Sequence, residues 1–117
     1  MCILKVEPGK KPYEKDISKD LDSIQAEVGG GFFQVVDLGG VLLYCNEEGK
    51  LNGMTPNRWL GNDIICGPFF LAGDDGLDNS VSLTDEQVAK YRERFLEPPQ
   101  FTGREPQLNP WAMIFPM

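Results

Sequence analysis

A chain of 117 residues fits one compact domain, and 41% hydrophobic residues are enough for a core, which excludes a wholly disordered chain. The 18 acidic residues outnumber the 11 Lys and Arg residues, and the net charge of −7 opposes binding to nucleic-acid phosphates. The same charge favours a partner with a basic surface or a small ligand held by local contacts.

The first third of the chain predicts two strands and a helix. Alternation over residues 2–7 ends at the turn signal Pro8-Gly9, and residues 13–17 can return as a second strand. Ser18 is the expected N-cap of a short helix, and Gly29 lies where a glycine commonly ends one. The apolar face between them is formed by Leu21, Ile24 and Val28.

Residues 32–62 predict a hairpin followed by a loop. Residues 32–36 and 41–45 are rich in β-branched and aromatic residues, and Gly39-Gly40 between them suits a tight turn. Residues 46–62 are dense in turn formers, so we expect a long structured loop with one helical turn near Pro56.

The following segment predicts one more strand and a well-marked helix. Residues 64–71 are mostly apolar, but Pro68 cannot donate to a ladder, so this strand should lie at an edge or bend there. Thr84 and Gln87 match a capping box at the start of the last helix. Its apolar face is formed by Val88, Tyr91 and Phe95.

A proline-rich tail at residues 98–117 follows a single domain at residues 1–97. The tail holds five of the nine prolines, yet it carries Trp111 and Phe115, so we expect it to pack on its own domain or on a partner. The elements together predict an α+β domain in which a small, mostly antiparallel sheet of about five strands is covered by two helices.

The residue types needed for catalysis and metal binding are scarce. The absence of histidine removes the commonest general base and the commonest metal ligand. Residues 74–79 carry oxygen ligands but lack the spacing of an EF-hand loop. Three cysteines without a C-x-x-C spacing favour a reducing compartment. We therefore expect no catalytic residue, no metal and no cofactor, in a soluble cytoplasmic protein without a signal peptide or membrane span.

Cys45 raises the alternative of a thiol nucleophile, because Glu47 and Glu48 follow it closely. Neighbouring carboxylates raise the pKa of a thiol, which opposes its activation. Cys45 also continues the alternation of its strand, so a buried core cysteine is the favoured interpretation. The same interpretation applies to Cys66 in its apolar run.

The loop at residues 47–58 contains side chains that suit a ligand. Arg58 is a forked donor for phosphate or carboxylate, and Asn57 can flank it. In the structural alternative, both residues satisfy loop carbonyls and a carboxylate such as Glu47. A nucleotide site would draw on Asn57, Arg58, Glu47, Lys50 and Arg104.

Acidic loops and the aromatic residues of the tail offer a different kind of site, one for a protein partner with a basic surface, even a surface that normally holds nucleic acid. The residues of this predicted site are Glu47, Glu48, Asp74, Asp75, Asp78, Trp111 and Phe115.

Several runs of the chain resemble a domain-of-unknown-function family numbered 3846, in order over residues 2–90. These runs are Val6-Glu7-Pro8-Gly9-Lys10, Val28-Gly29-Gly30, Cys45-Asn46-Glu47-Glu48-Gly49-Lys50-Leu51 with Pro56-x-Arg58, and Asp63-Ile64-Ile65-x-Gly67. The resemblance implies an accessory role in phages or mobile elements of Gram-positive bacteria, acting in the host bacterial cytoplasm. It transfers no activity and no site residue.

These observations lead us to expect a non-enzymatic binding protein that antagonises a host factor or defence system through an acidic surface. The main alternative is a protein that binds or sequesters a small ligand such as a nucleotide. A carboxylate- or lysine-based enzyme and a purely structural accessory domain are further alternatives. We expect no direct nucleic-acid binding and no membrane contact, and a homo-oligomer with a swapped tail fits the composition.

Overall fold

The computed structural model describes residues 1–77 and 79–105, and it has an α+β fold, as predicted. Its elements in chain order are β1 (Cys2–Val6), β2 (Tyr13–Asp16), α1 (Leu21–Glu27), β3 (Phe33–Asp37), β4 (Val41–Asn46), β5 (Pro56–Leu60), β6 (Asp63–Cys66), β7 (Phe69–Asp74), β8 (Ser80–Val81) and α2 (Asp85–Arg94). The predicted order of elements is present, but the single strand predicted at residues 64–71 is two strands, β6 and β7, and β5 and β8 are additional.

Six strands form the main sheet, and β7 lies at its centre. The strand order is β2-β1-β7-β4-β3, and β8 pairs with the end of β7. All of these pairings are antiparallel. Strands β5 and β6 form a separate hairpin, and the edges of the main sheet are β2 and β3.

The main sheet has an apolar core on each of its faces. The core on the α1 face includes Tyr44 and Phe70, whose rings stack at 4.7 Å. The core on the α2 face includes Phe69 and Phe95, whose rings meet edge to face at 5.3 Å. Because both faces are covered, β7 is fully buried over residues 69–72.

Helix α1 begins at a different cap from the predicted Ser18. The N-cap is Asp20, whose carboxylate accepts the N–H of Ser23 at 2.8 Å, and Asp caps a helix as well as Ser does. The end of the helix is as predicted, with Gly29 at a φ of +89°. A Cβ at Gly29 would lie 2.9 Å from the Cε of Met54, so backbone and packing both favour glycine there.

Apolar contacts of Val28 and Ile24 and a buried ion pair hold α1 on the sheet. Val28 is fully buried, whereas Leu21, predicted on the same face, is 59% exposed. Glu27 accepts from the Nζ of Lys5 at 2.6 Å through one carboxylate oxygen, and the Nζ of Lys15 lies 2.7 Å from the other. Lys5 also donates to the backbone carbonyl of Glu27 at 2.6 Å. The two cations offset the cost of burying the carboxylate.

Helix α2 has the predicted capping box. The Thr84 side chain accepts the N–H of Gln87 at 3.2 Å, and the Gln87 side chain accepts the N–H of Thr84 at 3.0 Å. The predicted apolar face is buried against the sheet, and each such side chain contributes about 1.5–3 kcal/mol to stability. It consists of Val88, Tyr91 and Phe95.

The prediction of a loop at residues 46–62 is wrong for its second half, where β5 pairs with β6 in a hairpin. Pro56 begins β5 instead of a helical turn, a position that spares proline from donating to a ladder. Asn57 and Arg58 are buried, so the inward positions of this strand are polar and the usual alternation is missing.

Pro68 bends the chain between two strands, as one of the two predicted alternatives requires. Gly67 precedes it at a φ of +88°, and the pair separates β6 from β7. The other alternative, an edge strand, is wrong, because β7 is the central strand of the main sheet. The proline is compatible with that position because it lies outside both ladders.

The first part of the predicted tail lies against the hairpin. The ring centroid of Phe101 is 6.2 Å from that of Trp59 on β5. Trp111 and Phe115, which were expected to dock on the domain or a partner, lie outside the described residues.

Candidate functional site

Arg58 is a buried cross-link between separate parts of the chain, with only 2% of its surface exposed. Its Nε donates to the carbonyl of Phe95 at the end of α2 at 2.9 Å, and Nη2 donates to the carbonyl of Lys10 in the β1–β2 turn. Nη1 donates to the backbone and side-chain oxygens of Asn57 at 3.1 and 2.9 Å. Burial lowers the pKa of the guanidinium, but arginine keeps its charge at neutral pH.

Asn57 completes the same network. Its amide nitrogen donates to the carbonyls of Val6 and Gly67, both at 2.9 Å, and the residue is 1% exposed. The structure therefore does not place Asn57 and Arg58 at a ligand site. Their contacts are those of the structural alternative, except that their partners are carbonyls and not the carboxylate of Glu47.

A pocket of about 320 Å³ lies between the β3 edge of the main sheet and the β5–β6 hairpin. It brings together two of the predicted ligand residues, Glu47 and Lys50, with Gln34 of β3. The ammonium of Lys50 is paired with the carboxylate of Asp63 on β6. The apolar wall is formed by Val36, Cys45, Leu51, Leu60, Ile64 and Ile65. This volume is at the small end of the range for ligand sites.

The charges around this pocket do not suit a phosphate. Lys50 is the one cation in its wall, against the carboxylates of Glu47 and Asp63. Arg58 is committed to backbone carbonyls, and Arg104 is exposed in the segment after α2. Recognition of phosphates depends on several cationic donors, so the predicted nucleotide site is not assembled here.

The two thiols near the pocket are inert core groups. Burial raises the pKa of the Cys45 thiol to about 11 and also raises the pKa of Cys66. Thiols with such pKa values stay protonated at neutral pH and are poor nucleophiles. Cys45 and Cys66 are both buried, as the interpretation of them as core cysteines requires.

The acidic residues predicted to bind a partner do not lie together. Glu47 and Glu48 follow the end of β4, whereas Asp74 and Asp75 lie beside its start, because β4 and β7 are antiparallel. The six residues of β4 separate the two pairs by about 20 Å. Asp78, the fifth of these acidic residues, lies outside the described residues.

Asp74 and Asp75 belong instead to a larger group of carboxylates, which we call the acidic pole. The end of β2, the end of β3, the end of β7 and the first turns of both helices all lie at this end of the sheet. Of the described residues, eight carboxylates occupy the pole, and its cations are Lys19 and the terminal ammonium. The carboxylates are Asp16, Asp20, Asp22, Asp37, Asp74, Asp75, Asp85 and Glu86.

Most of the acidic pole could not be predicted from the sequence, because its members come from five separate segments. Several of them also have local structural roles: Asp37 accepts the N–H of Gly39 at 2.8 Å, and Asp16 lies 2.9 Å from the terminal ammonium. The backbone N–H of Leu77 and then Asn79 hydrogen bond to Asp75 and lower its pKa. Asp22, Asp85 and Glu86 lie in the first turns of the helices, where their negative charges stabilise the helix N-termini. These local roles leave the negative charges in place.

A cleft of about 420 Å³ opens at the acidic pole between α1 and β8. Tyr44 and Ile24 supply apolar surface, and the Tyr44 hydroxyl is hydrogen bonded to Ser80. Asp75 and Lys19 are the charged side chains of its wall, and Met1, which carries the terminal ammonium, also lines it. An apolar floor with a carboxylate at the rim suits the stem and head of a lysine or arginine side chain.

In the part of the chain that the structure covers, residues 1–77 and 79–105, no three or more Cys, Asp and Glu side chains are grouped to hold a metal ion. None of the helices in these residues is long and apolar enough to cross a membrane.

Comparison with known proteins gives a family match. No curated protein and no solved structure matches the chain. The family described as "Domain of unknown function (DUF3846)" matches residues 1–96, from the first residue to just beyond the end of α2. The chain therefore belongs to the DUF3846 family.

Proposed function

We propose that this chain is a non-enzymatic accessory binding protein that contacts a basic surface of a protein partner through the acidic pole. The observation that carries the proposal is the gathering of eight carboxylates, against two cationic groups, at one end of the described chain. Ten of the eleven Lys and Arg residues lie elsewhere, Lys19 being the exception.

The excess of negative charge at the pole survives the local neutralisation that the fold provides. The N-termini of α1 and α2 both lie there, and each contributes at most about half a positive charge. Two such half-charges are small against an excess of six carboxylates. The pole should therefore attract basic surfaces from a distance and speed their association at low salt.

The cleft at the pole supports a specific contact in addition to this general attraction. A basic side chain of the partner would lay its stem on Tyr44 and Ile24 and bring its charge to Asp75. Lys19 would then compete for the same carboxylate, so removing Lys19 should strengthen the contact.

The biological setting is part of the same proposal. Antagonism of a host factor or defence system by a phage or mobile element would use an acidic surface to occupy a basic one, including a surface that normally holds nucleic acid. The phage or mobile-element setting is what the family resemblance implies, and the acidic pole is the feature of this chain that suits it.

Charge-neutral substitutions test the role of the pole. Asp22→Asn, Asp85→Asn and Glu86→Gln remove three charges whose side chains have no hydrogen-bond partner among the described residues. Immobilised wild-type protein should capture basic proteins from a bacterial lysate. The triple variant should capture about tenfold less of the same proteins, as quantified by mass spectrometry.

The matched control removes three charges outside the pole, with Glu47→Gln, Glu48→Gln and Glu93→Gln. This control should keep the captured proteins, because its carboxylates lie at other places in the fold. Equal losses in the two triple variants would show that total charge matters and the pole does not. Loss of the captured proteins in the control variant alone would show that the interface lies near Glu47 and not at the acidic pole.

The second candidate function is the binding of a small neutral or cationic ligand in the 320 Å³ pocket. It is favoured by the meeting of Glu47, Asp63 and Gln34 around an apolar wall. Native mass spectrometry of gently purified protein should then find an added mass that Glu47→Gln reduces and Glu48→Gln, at the neighbouring exposed position, preserves. A bare wild-type mass, or equal effects of the two variants, would contradict this candidate.

A further inference from the structure

Met54 packs across two glycines that belong to other segments of the chain. Its Cε lies 2.9 Å from the position that a Cβ would take on Gly29, just beyond the end of α1, and its Sδ lies 2.6 Å from the same position on Gly67, before β7. Both glycines have a positive φ, +89° and +88°. Their missing side chains therefore leave the space that the thioether fills.

Hydrogen bonds fix the three segments that meet around this thioether. The backbone N–H groups of Met54, Gly67 and Gly30 all donate to backbone carbonyls, at 2.8 to 2.9 Å. The side chain of Asn46 donates to the carbonyl of Gly30 at 2.8 Å. Because an amide exchanges its hydrogen when such a bond opens, the three N–H groups report whether the packing around Met54 is intact.

The sulfur of Met54 is a better target for oxidation than the thiols nearby. Burial raises the pKa of the Cys45 thiol to about 11 and also raises that of Cys66, so both stay protonated and react slowly with peroxides. A thioether needs no deprotonation before it reacts, and Met54 is only partly buried. Small oxidants can therefore reach a sulfur that is ready to react.

We propose that Met54 is a site of reversible oxidation by hydrogen peroxide, and that its sulfoxide loosens the packing of residues 47–54 on the end of α1 and on the segment before β7. The sulfur donates a lone pair to one peroxide oxygen, so an S–O bond forms while the O–O bond breaks. The sulfur is oxidised, the peroxide is reduced, and the second oxygen leaves as water with both protons. A methionine sulfoxide reductase with a dithiol returns the sulfur to the thioether, and the oxygen leaves as water.

The sulfoxide does not suit the site that the thioether occupies. Its oxygen is a polar acceptor, whereas the thioether lies on the backbone of Gly29 and Gly67, beside the apolar ring of Pro68. The N–H groups of both glycines already donate to carbonyls, so they cannot satisfy the new oxygen. The oxygen must turn toward solvent, which draws the side chain away from the glycines. The inference is independent of whether the acidic pole binds another protein.

Mild treatment of the full chain with hydrogen peroxide tests the site. Trypsin cleaves after Lys50 and Arg58 and gives a peptide of residues 51–58, in which Met54 is the only methionine. Mass spectrometry should find one added oxygen on this peptide. Hydrogen exchange at the amides of Met54, Gly67 and Gly30 should then be about tenfold faster. Treatment with a methionine sulfoxide reductase and dithiothreitol should restore the slow exchange.

Met54→Leu is the matched control, because leucine fills a similar volume and has no sulfur to oxidise. Peroxide should leave the exchange of this variant unchanged, and circular dichroism establishes that it is folded. Three results would each overturn the proposal: an unmodified peptide 51–58 while peptides 1–5 or 105–117 gain oxygen, an oxidised Met54 with unchanged exchange, or equal acceleration in Met54→Leu. The first two are measured on the wild type, so they do not depend on the folding of the variant.

Discussion

Arg58 and Asn57 show how two polar side chains can organise several loops by binding backbone carbonyls. Together they bind Val6 and Lys10 near the β1–β2 turn, Gly67 before β7 and Phe95 at the end of α2. These carbonyls belong to separate segments of the chain: the β1–β2 region, the link between β6 and β7, and the end of α2. A buried guanidinium, whose several N–H donors form a fixed fork, meets this need better than separate residues would.

Replacing Arg58 by alanine is expected to lower the free energy of unfolding by about 3–5 kcal/mol, because it leaves buried acceptors unpaired. Arg58→Lys should recover only part of the loss, since one ammonium cannot span the same carbonyls. Urea denaturation measures both changes. The exposed control Arg104→Ala should stay within about 0.5 kcal/mol of the wild type. A loss for Arg58→Ala no larger than that of the control would contradict the cross-link.

The residue types at these positions were predictable as important, but their role was not. The same donors suit a phosphate and a set of carbonyls, and the choice between them depends on whether the strand faces inward. That orientation follows from the packing of the β5–β6 hairpin on the sheet, which no local pattern around Asn57 and Arg58 encodes. Lys50 and Glu47, which the sequence placed in one predicted site, line the same pocket, but Asp63, the partner of Lys50, was missed because it comes from another strand.

At the scale of elements, α1 is a seven-residue helix that depends on its contacts with the sheet, because isolated helices of this length are marginal in water. Its last turn is anchored through Glu27, which pairs with Lys5 and Lys15. Burial raises the pKa of Glu27, but hydrogen bonds and charge from Lys15 and Lys5 outweigh burial and bring the pKa below its ordinary value.

The sign of this pKa change predicts how α1 docking depends on pH. A carboxyl whose pKa is lowered by folding contributes stability above its unfolded pKa of about 4.5, and that contribution is lost as pH falls through the folded pKa. Glu27→Gln should therefore be less stable than the wild type by about 1–3 kcal/mol at pH 7, and the difference should shrink at pH 3. Denaturation curves at both pH values measure the difference in the free energy of unfolding, with the exposed Glu48→Gln variant as control. A difference that grew on acidification would contradict the ion pair.

The elements that could be predicted are those with strong local signals. The capping box of α2, the glycine end of α1 and the strand composition of β3 and β4 are all short-range patterns, and the structure has them. The β5–β6 hairpin was missed because its inward residues are polar, and the central place of β7 was missed because Pro68 resembled an interruption. Both features depend on contacts between remote segments.

The whole molecule is electrically asymmetric along the direction of its strands. Antiparallel pairing brings the ends of β2, β3 and β7 to one end of the sheet, and both helices begin at that end. The net charge of −7 was apparent from composition, but its concentration was not, because five segments contribute to the pole and each carries only one or two carboxylates. The topology of the sheet therefore concentrates the negative charge of the chain at one end, where it produces a directional electrostatic field.

Carboxyl footprinting of the protein with and without its captured partner tests the acidic pole most directly. Modification of Asp22, Asp85 and Glu86 by a carbodiimide and a small amine, read by mass spectrometry, should fall several-fold when the partner is bound, while Glu47, Glu48 and Glu93 keep their reactivity. Unchanged reactivity at the pole, with protection at Glu47 and Glu48 instead, would show that the partner binds the opposite end of the sheet and that the acidic pole is not the interface.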